Sequence, residues 1–114
     1  MQIPAKDRES IIGVVDLKSL GYDVSDIPML TVSLAVHSIG GTSPDLGFTL
    51  ETSDNLEDWV DVGSRVSRST AGVTVTAYQA LNTPWGRYIR AEINQTGTDP
   101  QSVYSLWINT FPSS

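Results

Sequence analysis

The chain has no cysteine and a single histidine among its 114 residues. The first absence excludes a disulfide framework and a thiolate metal site. The second leaves transition-metal ligation without the imidazole or thiolate partners it ordinarily needs. Basic residues are also scarce, seven against thirteen acidic ones, for a net charge of −6. That balance opposes binding to a polyphosphate backbone, which rests on clustered Lys and Arg, so nucleic acid is not an expected partner. No apolar run approaches the length of a membrane span, and the first ten residues are polar and mixed in charge, unlike a signal peptide. Synthesis and folding in a cytoplasm, with no membrane partner, are therefore expected. No serine lies in a Gly-x-Ser-x-Gly elbow, no glycine pattern of a phosphate or dinucleotide loop precedes a helix, and no segment keeps a helical period over ten residues. No catalytic residue, metal ligand or cofactor is assigned.

The composition, 39% hydrophobic and 18% charged, is that of an ordinary globular domain. A chain of this length buries roughly two-thirds of the surface its unfolded form exposes, enough for one core. The most informative feature is a doubled motif. Gly41-Thr42-Ser43-Pro44 reappears as Gly97-Thr98-Asp99-Pro100, each between stretches that alternate apolar and polar residues. Val32, Leu34 and Val36 precede the first motif, and Leu46, Phe48 and Leu50 follow it. Ile89, Ala91 and Ile93 precede the second, and Tyr104, Leu106 and Ile108 follow it. A period of two is that of a strand with one buried face, so each motif is expected to be the turn of a hairpin, 29–37 with 46–53 and 87–93 with 102–110. Further strands are expected at 11–17, at 59–63 and at 73–78, the last with Val73, Val75 and Ala77 on one face. Residues 53–58 are expected to form an Asx-type turn. The prediction is an all-β fold, an antiparallel β-sandwich or jelly roll of about seven or eight strands, with residues 1–10 as an extended N-terminal arm and 11–114 as the single domain.

Side chains that suggest chemistry have structural readings beside them. Trp59, Trp85, Trp107, Tyr88 and Tyr104 are expected mainly to pack, because a buried aromatic removes about 150–250 Å² from water. Trp107 stands between Leu106 and Ile108 and is expected to point away from the core, where tryptophan favours interfaces. His37 ends a strand and reads as a satisfied surface histidine. The acids Asp54, Glu57, Asp58 and Asp61 match no calcium-loop spacing and read as a solvated turn.

Two segments together carry a family resemblance. Phe48 to Gly63, with Ser53-Asp54-Asn55 ahead of Trp59, and Gly86-Arg87-Tyr88-Ile89-Arg90-Ala91-Glu92-Ile93 with the following Gly97-Thr98-Asp99-Pro100 and Tyr104-Ser105-Leu106-Trp107 resemble small β-sandwich virion proteins of tailed phages. In those proteins the Gly-Thr-Ser-Pro hairpin often occurs twice. A related Ser-Asp-turn-Trp and Arg-Tyr-Ile-Arg pattern also appears in discoidin-like sugar- and lipid-binding domains, which are longer and usually secreted. The phage resemblance covers about residues 30–110 and implies a non-enzymatic structural protein of a phage or phage-like particle: capsid decoration, head or neck accessory, or spike base. It would reside in the virion and bind a major capsid or neck protein and copies of itself, a trimer among the options. Ile3, Pro4, Arg8 and Trp107 are the expected interface residues. The alternative is a carbohydrate-binding module for host attachment, with Asn82, Trp85 and Arg87 contacting a host glycan.

Overall fold

The computed structural model describes residues 2–19, 21–25, 27–79 and 85–111, and these are strand or short connection throughout. In chain order the strands are β1 (Gln2–Ile12), β2 (Val15–Lys18), β3 (Tyr22–Asp23), β4 (Met29–Ser53), β5 (Val60–Arg68), β6 (Gly72–Gln79) and β7 (Tyr88–Phe111). All pairings are antiparallel, and the all-β expectation holds. β4 and β7 pair along their full length, from Met29 opposite Phe111 to Ser53 opposite Tyr88. This long ribbon belongs to two layers. In the first layer residues 29–36 of β4 and 104–111 of β7 lie at the centre, flanked by β6 and β1. In the second layer residues 46–53 and 88–95 are central, flanked by β5 on one side and by β2 and β3 on the other. Inward residues of both layers, among them Leu30, Leu34, Phe48, Leu50, Ile93 and Leu106, form one buried cluster.

The doubled Gly-Thr-x-Pro motif therefore does not close hairpins, contrary to the sequence-based expectation. Residues 29–36 pair with 104–111, not with 46–53. Each motif is instead a corner where one continuous strand passes from one layer to the other. The two corners lie against each other, Thr42 opposite Thr98, with register irregularities on both sides of Thr42. The conformations match in pairs: Gly41 and Gly97 have φ of +113° and +127°, and Ser43 and Asp99 have φ of +49° and +48°. Left-handed residues serve a corner as well as a reversal, so local sequence does not tell the two apart. A β-carbon on Gly41 would lie 2.7 Å from the Asp99 carbonyl oxygen, and one on Gly97 would lie 2.9 Å from that of Ser43. Glycine at both positions lets the two backbones touch.

The strand expected at 11–17 is likewise divided. β1 ends at Ile12, Gly13 takes φ +89°, and β2 begins at Val15 in the other layer. The Gly13 N–H donates to the Pro100 carbonyl, so this third crossing sits on the β7 corner. Buried Gln95 secures it by donating from Nε2 to the carbonyls of Ile11 and Gly13, while Ser102 donates to Gln95 Oε1. The segment expected as an arm is extended as the body of β1, paired with β7 from Gln2 opposite Asn109 to Ile12 opposite Gln101, and the 10/11 boundary falls inside it.

Candidate interaction surfaces

The outward faces of the two layers differ in chemistry. On the first layer, β6 presents Val73, Val75, Ala77 and Gln79, β4 presents Met29, Thr31, Ser33 and Ala35, and β7 presents Ser105, Trp107, Asn109 and Phe111. Register places them in rows: Val75, Ser33 and Trp107 form one, Ala77, Thr31 and Asn109 the next. None of these residues carries a charge, in a protein of net charge −6. The expected valine face of β6 exists, but it is the outer face: Val73 and Val75 are 63% and 60% exposed. Inward positions of β6 hold Thr74, Thr76 and buried Tyr78. Trp107 alternates outward between fully buried Leu106 and Ile108, as its place in the sequence implied, and is half-buried.

The second layer's outer face is covered by ion pairs. Glu51, only 7% exposed, accepts from Arg90 Nε at 2.8 Å and has Lys18 Nζ at 3.9 Å; Lys18 also reaches Glu92 at 3.5 Å. The Arg90 guanidinium lies 4.1 Å from the centre of the Trp59 ring, a cation–π contact. Trp59, expected mainly to pack, does so against a guanidinium supplied from far along the chain. Arg65 extends over Gly47, where a β-carbon would collide with it, to bond Asp45 and Asn94 at 2.7 Å each. The acidic loop after β4 is the Asx-type turn expected. Ser53 Oγ accepts from the N–H groups of Asn55 and Leu56, and Asn55 Oδ1 from those of Glu57 and Asp58.

The expected site residues fall in several places. Ile3 and Pro4 lie in β1 opposite Ile108 and Trp107. Arg8 is exposed with φ +48°, and its N–H donates to Ser105 Oγ. The β1 backbone is thus adjacent to the Trp107 row. Trp85 is half-buried and packs on the core, and exposed Arg87 bonds Asp23 at 3.3 Å with its guanidinium 5.2 Å from the Tyr88 ring centre. Asn82 lies outside the described residues. His37 is the satisfied surface histidine expected, with a partner distant in sequence: its Nε2 is 2.9 Å from Ser105 Oγ. It is the extra residue in the β4 register shift between Val36 and Ser38. Ser105 stands between that bulge and the one at Arg8 in β1, and its hydroxyl ties both to β7. A groove of about 260 Å³ is lined by 10–12, 38–40 and 101–103. Among the described residues no group of three or more His, Asp or Glu side chains is placed to hold a metal ion.

No family model matches the chain. Its fold is similar to that of several solved structures. The PBSX exported protein XepA matches with a TM-score of 0.75 and 16% identity over 100% of this chain and 38% of that one. The VP2 subviral particle of infectious bursal disease virus matches at 0.65 and 13%, over 98% of this chain and 32% of that one. The CBM22-1 xylan-binding domain from Paenibacillus barcinonensis Xyn10C matches at 0.51 and 12%, over 100% and 95%. The chain thus spans about a third of the length of the two viral and phage-related chains and nearly the whole of the xylan-binding one. At these identities the likeness is one of fold.

Proposed function

We propose that this protein is a non-enzymatic structural component of a phage or phage-like particle, working through protein–protein contacts. The observation that carries this reading is the uncharged outward surface of the three adjacent strands β6, β4 and β7, with exposed valines at one side and Trp107 at the other, where β1 with its exposed Arg8 borders it. Isolated exposed hydrophobics are common, but three adjacent strands that present no charge on an acidic protein are suited to burial against another protein. The fold likeness to XepA and to VP2 of a subviral particle supports the same direction. Capsid decoration, a head or neck accessory position or a spike base would each bury such a face, against a capsid or neck protein and further copies of this chain. Trimerisation is one closed arrangement of heterologous contacts. The test is to purify particles from cells carrying the gene and quantify this chain against the major capsid protein. Incorporation at a fixed stoichiometry, lost on Trp107→Asp while that variant stays folded, is expected. Particles devoid of the chain overturn the reading. Removing residues 1–10 is the wrong probe, because it strips a strand from β7.

A second reading, carbohydrate binding, draws on the likeness to the xylan-binding domain and on the ring and guanidinium groups of Tyr88, Arg87 and Trp85 at one end of the second layer. Glycan-array binding abolished by Arg87→Ala and Trp85→Ala supports it, and a flat array removes it.

A further inference from the structure

We infer that the edge of β6 away from β4, over residues 73–77, is a self-pairing edge, joining the β6 strand of a second copy in antiparallel register about a two-fold axis. The inference rests on the contact-making role proposed above and names the partner as this chain itself. It begins from how differently the sheet edges are protected. β1 carries Pro4, Lys6, Arg8 and Glu9 and has two register shifts. β5 carries Asp61, Arg65 and Arg68, has φ +72° at Gly63 and is bulged against β4. β2 and β3 are four and two residues long. Charge, proline, bulges and shortness are the devices that stop strand edges from pairing. β6 has none of them. Its eight residues run one-to-one against β4 with no charge, proline or register shift, and among the described residues β4 is its only strand partner.

The occupant follows from charge and pattern. Most of the surface of a protein with net charge −6 repels another copy, whereas β6 is uncharged, so two copies can approach there. The nearest charge, Arg68, is drawn to Thr74 Oγ1 at 2.8 Å, on the face opposite the valines. Across a strand pair, opposed residues share a face, so only a register that sets odd positions against odd ones keeps the valines together. Of those, the one centred on Val75 pairs Val75 with Val75 and Val73 with Ala77, and it sets Thr74 against Thr76. Apolar then meets apolar on the outer face and hydroxyl meets hydroxyl on the inner one. The first layer would continue across the axis, joining the two uncharged faces into one.

Because the chain lacks cysteine, Val75→Cys creates the only thiol in the protein. Opposed residues of an antiparallel pair have Cα atoms about 4.5–5.5 Å apart, within disulfide range. Mild oxidation should convert Val75→Cys to a covalent dimer at least tenfold faster than Val60→Cys, a control whose parent valine is 64% exposed on β5. Sedimentation equilibrium of the unmodified chain should show mass rising with concentration above 12.3 kDa, and Val75→Lys should weaken that association at least tenfold without altering the circular dichroism spectrum. Equal crosslinking of the two cysteine variants, or a mass fixed at the monomer value at millimolar concentration, overturns the inference. If particles contain the chain while Val75→Cys does not crosslink, self-pairing falls and the particle role stands. If the dimer forms but particles lack the chain, the particle role falls and the paired edge stands.

Discussion

Replacing Gly41 by alanine tests whether close approach at the paired corners is what requires glycine there. Two costs are expected. The first is conformational: φ of +113° is a region that residues with a β-carbon rarely adopt, at about 1–3 kcal/mol. The second is steric. The new methyl would lie 2.7 Å from the Asp99 carbonyl oxygen and 2.9 Å from both Pro100 Cα and the Thr98 carbonyl oxygen. All three are backbone atoms of β7, so relief means moving the partner strand, and overpacking of this kind costs about 1–3 kcal/mol more. Gly13 supplies the control, since it also has positive φ (+89°) but nothing within 4 Å of a built β-carbon. Gly13→Ala should therefore show only the conformational cost. Urea denaturation followed by tryptophan fluorescence measures the difference. With a slope of about 1–3 kcal/mol per molar, the midpoint for Gly41→Ala should fall about 1 M below that for Gly13→Ala. Gly97→Ala should behave like Gly41→Ala, and the double variant should lose less than the sum, because strands parted by the first methyl accommodate the second. Coincident midpoints for Gly41→Ala and Gly13→Ala would refute the role of strand contact at the corner.

The hydroxyl of Tyr104 is buried without a hydrogen-bond partner among the described residues, so Tyr104→Phe should leave stability unchanged or raise it by up to about 1 kcal/mol, read by thermal or urea unfolding. Burial, reinforced by Glu9, pushes the Tyr104 phenol well above its ordinary value. The folded state then holds its proton where the unfolded chain has released it, so stability is intact below about pH 10 and falls as pH rises above it. Unfolding between about pH 9 and 12 should show a shallower fall for Tyr104→Phe, with Tyr78, also pushed up by burial, retaining part of the slope. Arg90→Ala removes the 2.8 Å partner of nearly buried Glu51 and the cation over Trp59, and should destabilise by about 2–4 kcal/mol; Arg90→Lys should recover little, lacking the planar fork. Ser105→Ala leaves the Arg8 N–H and His37 without their shared partner, with an expected loss of about 1–2 kcal/mol and faster amide exchange in β1.

Alternation in the stretches around the doubled motif identified the inward positions correctly: Val32, Leu34, Val36, Phe48, Leu50, Ile89, Ile93, Leu106 and Ile108 are all buried. The outward direction of Trp107 followed from the same period. The alternation of β6 was equally visible, yet its apolar residues face outward, because a period of two marks two faces without saying which one meets the core. What covers a face depends on the strands beside it and on any partner beyond them.

All-β character and the alternating stretches around the doubled motif were determined by the sequence alone, because side-chain period is a local property; the strand in 2–10, the break at Gly13 and the short β3 were not, because they exist through pairing with β7. Which strand pairs with which was decided only by the tertiary structure. A Gly-Thr-x-Pro segment satisfies its own backbone equally well as a reversal or as a corner, and the choice is made by residues far along the chain, where 104–111 outcompetes 46–53 for the edge of 29–36. Long stretches of chain likewise separate Arg90 from Trp59 and His37 from Ser105, so those contacts, and the chemical contrast between the two outer faces, came into being only when the long ribbon bent and its flanking strands closed on either side.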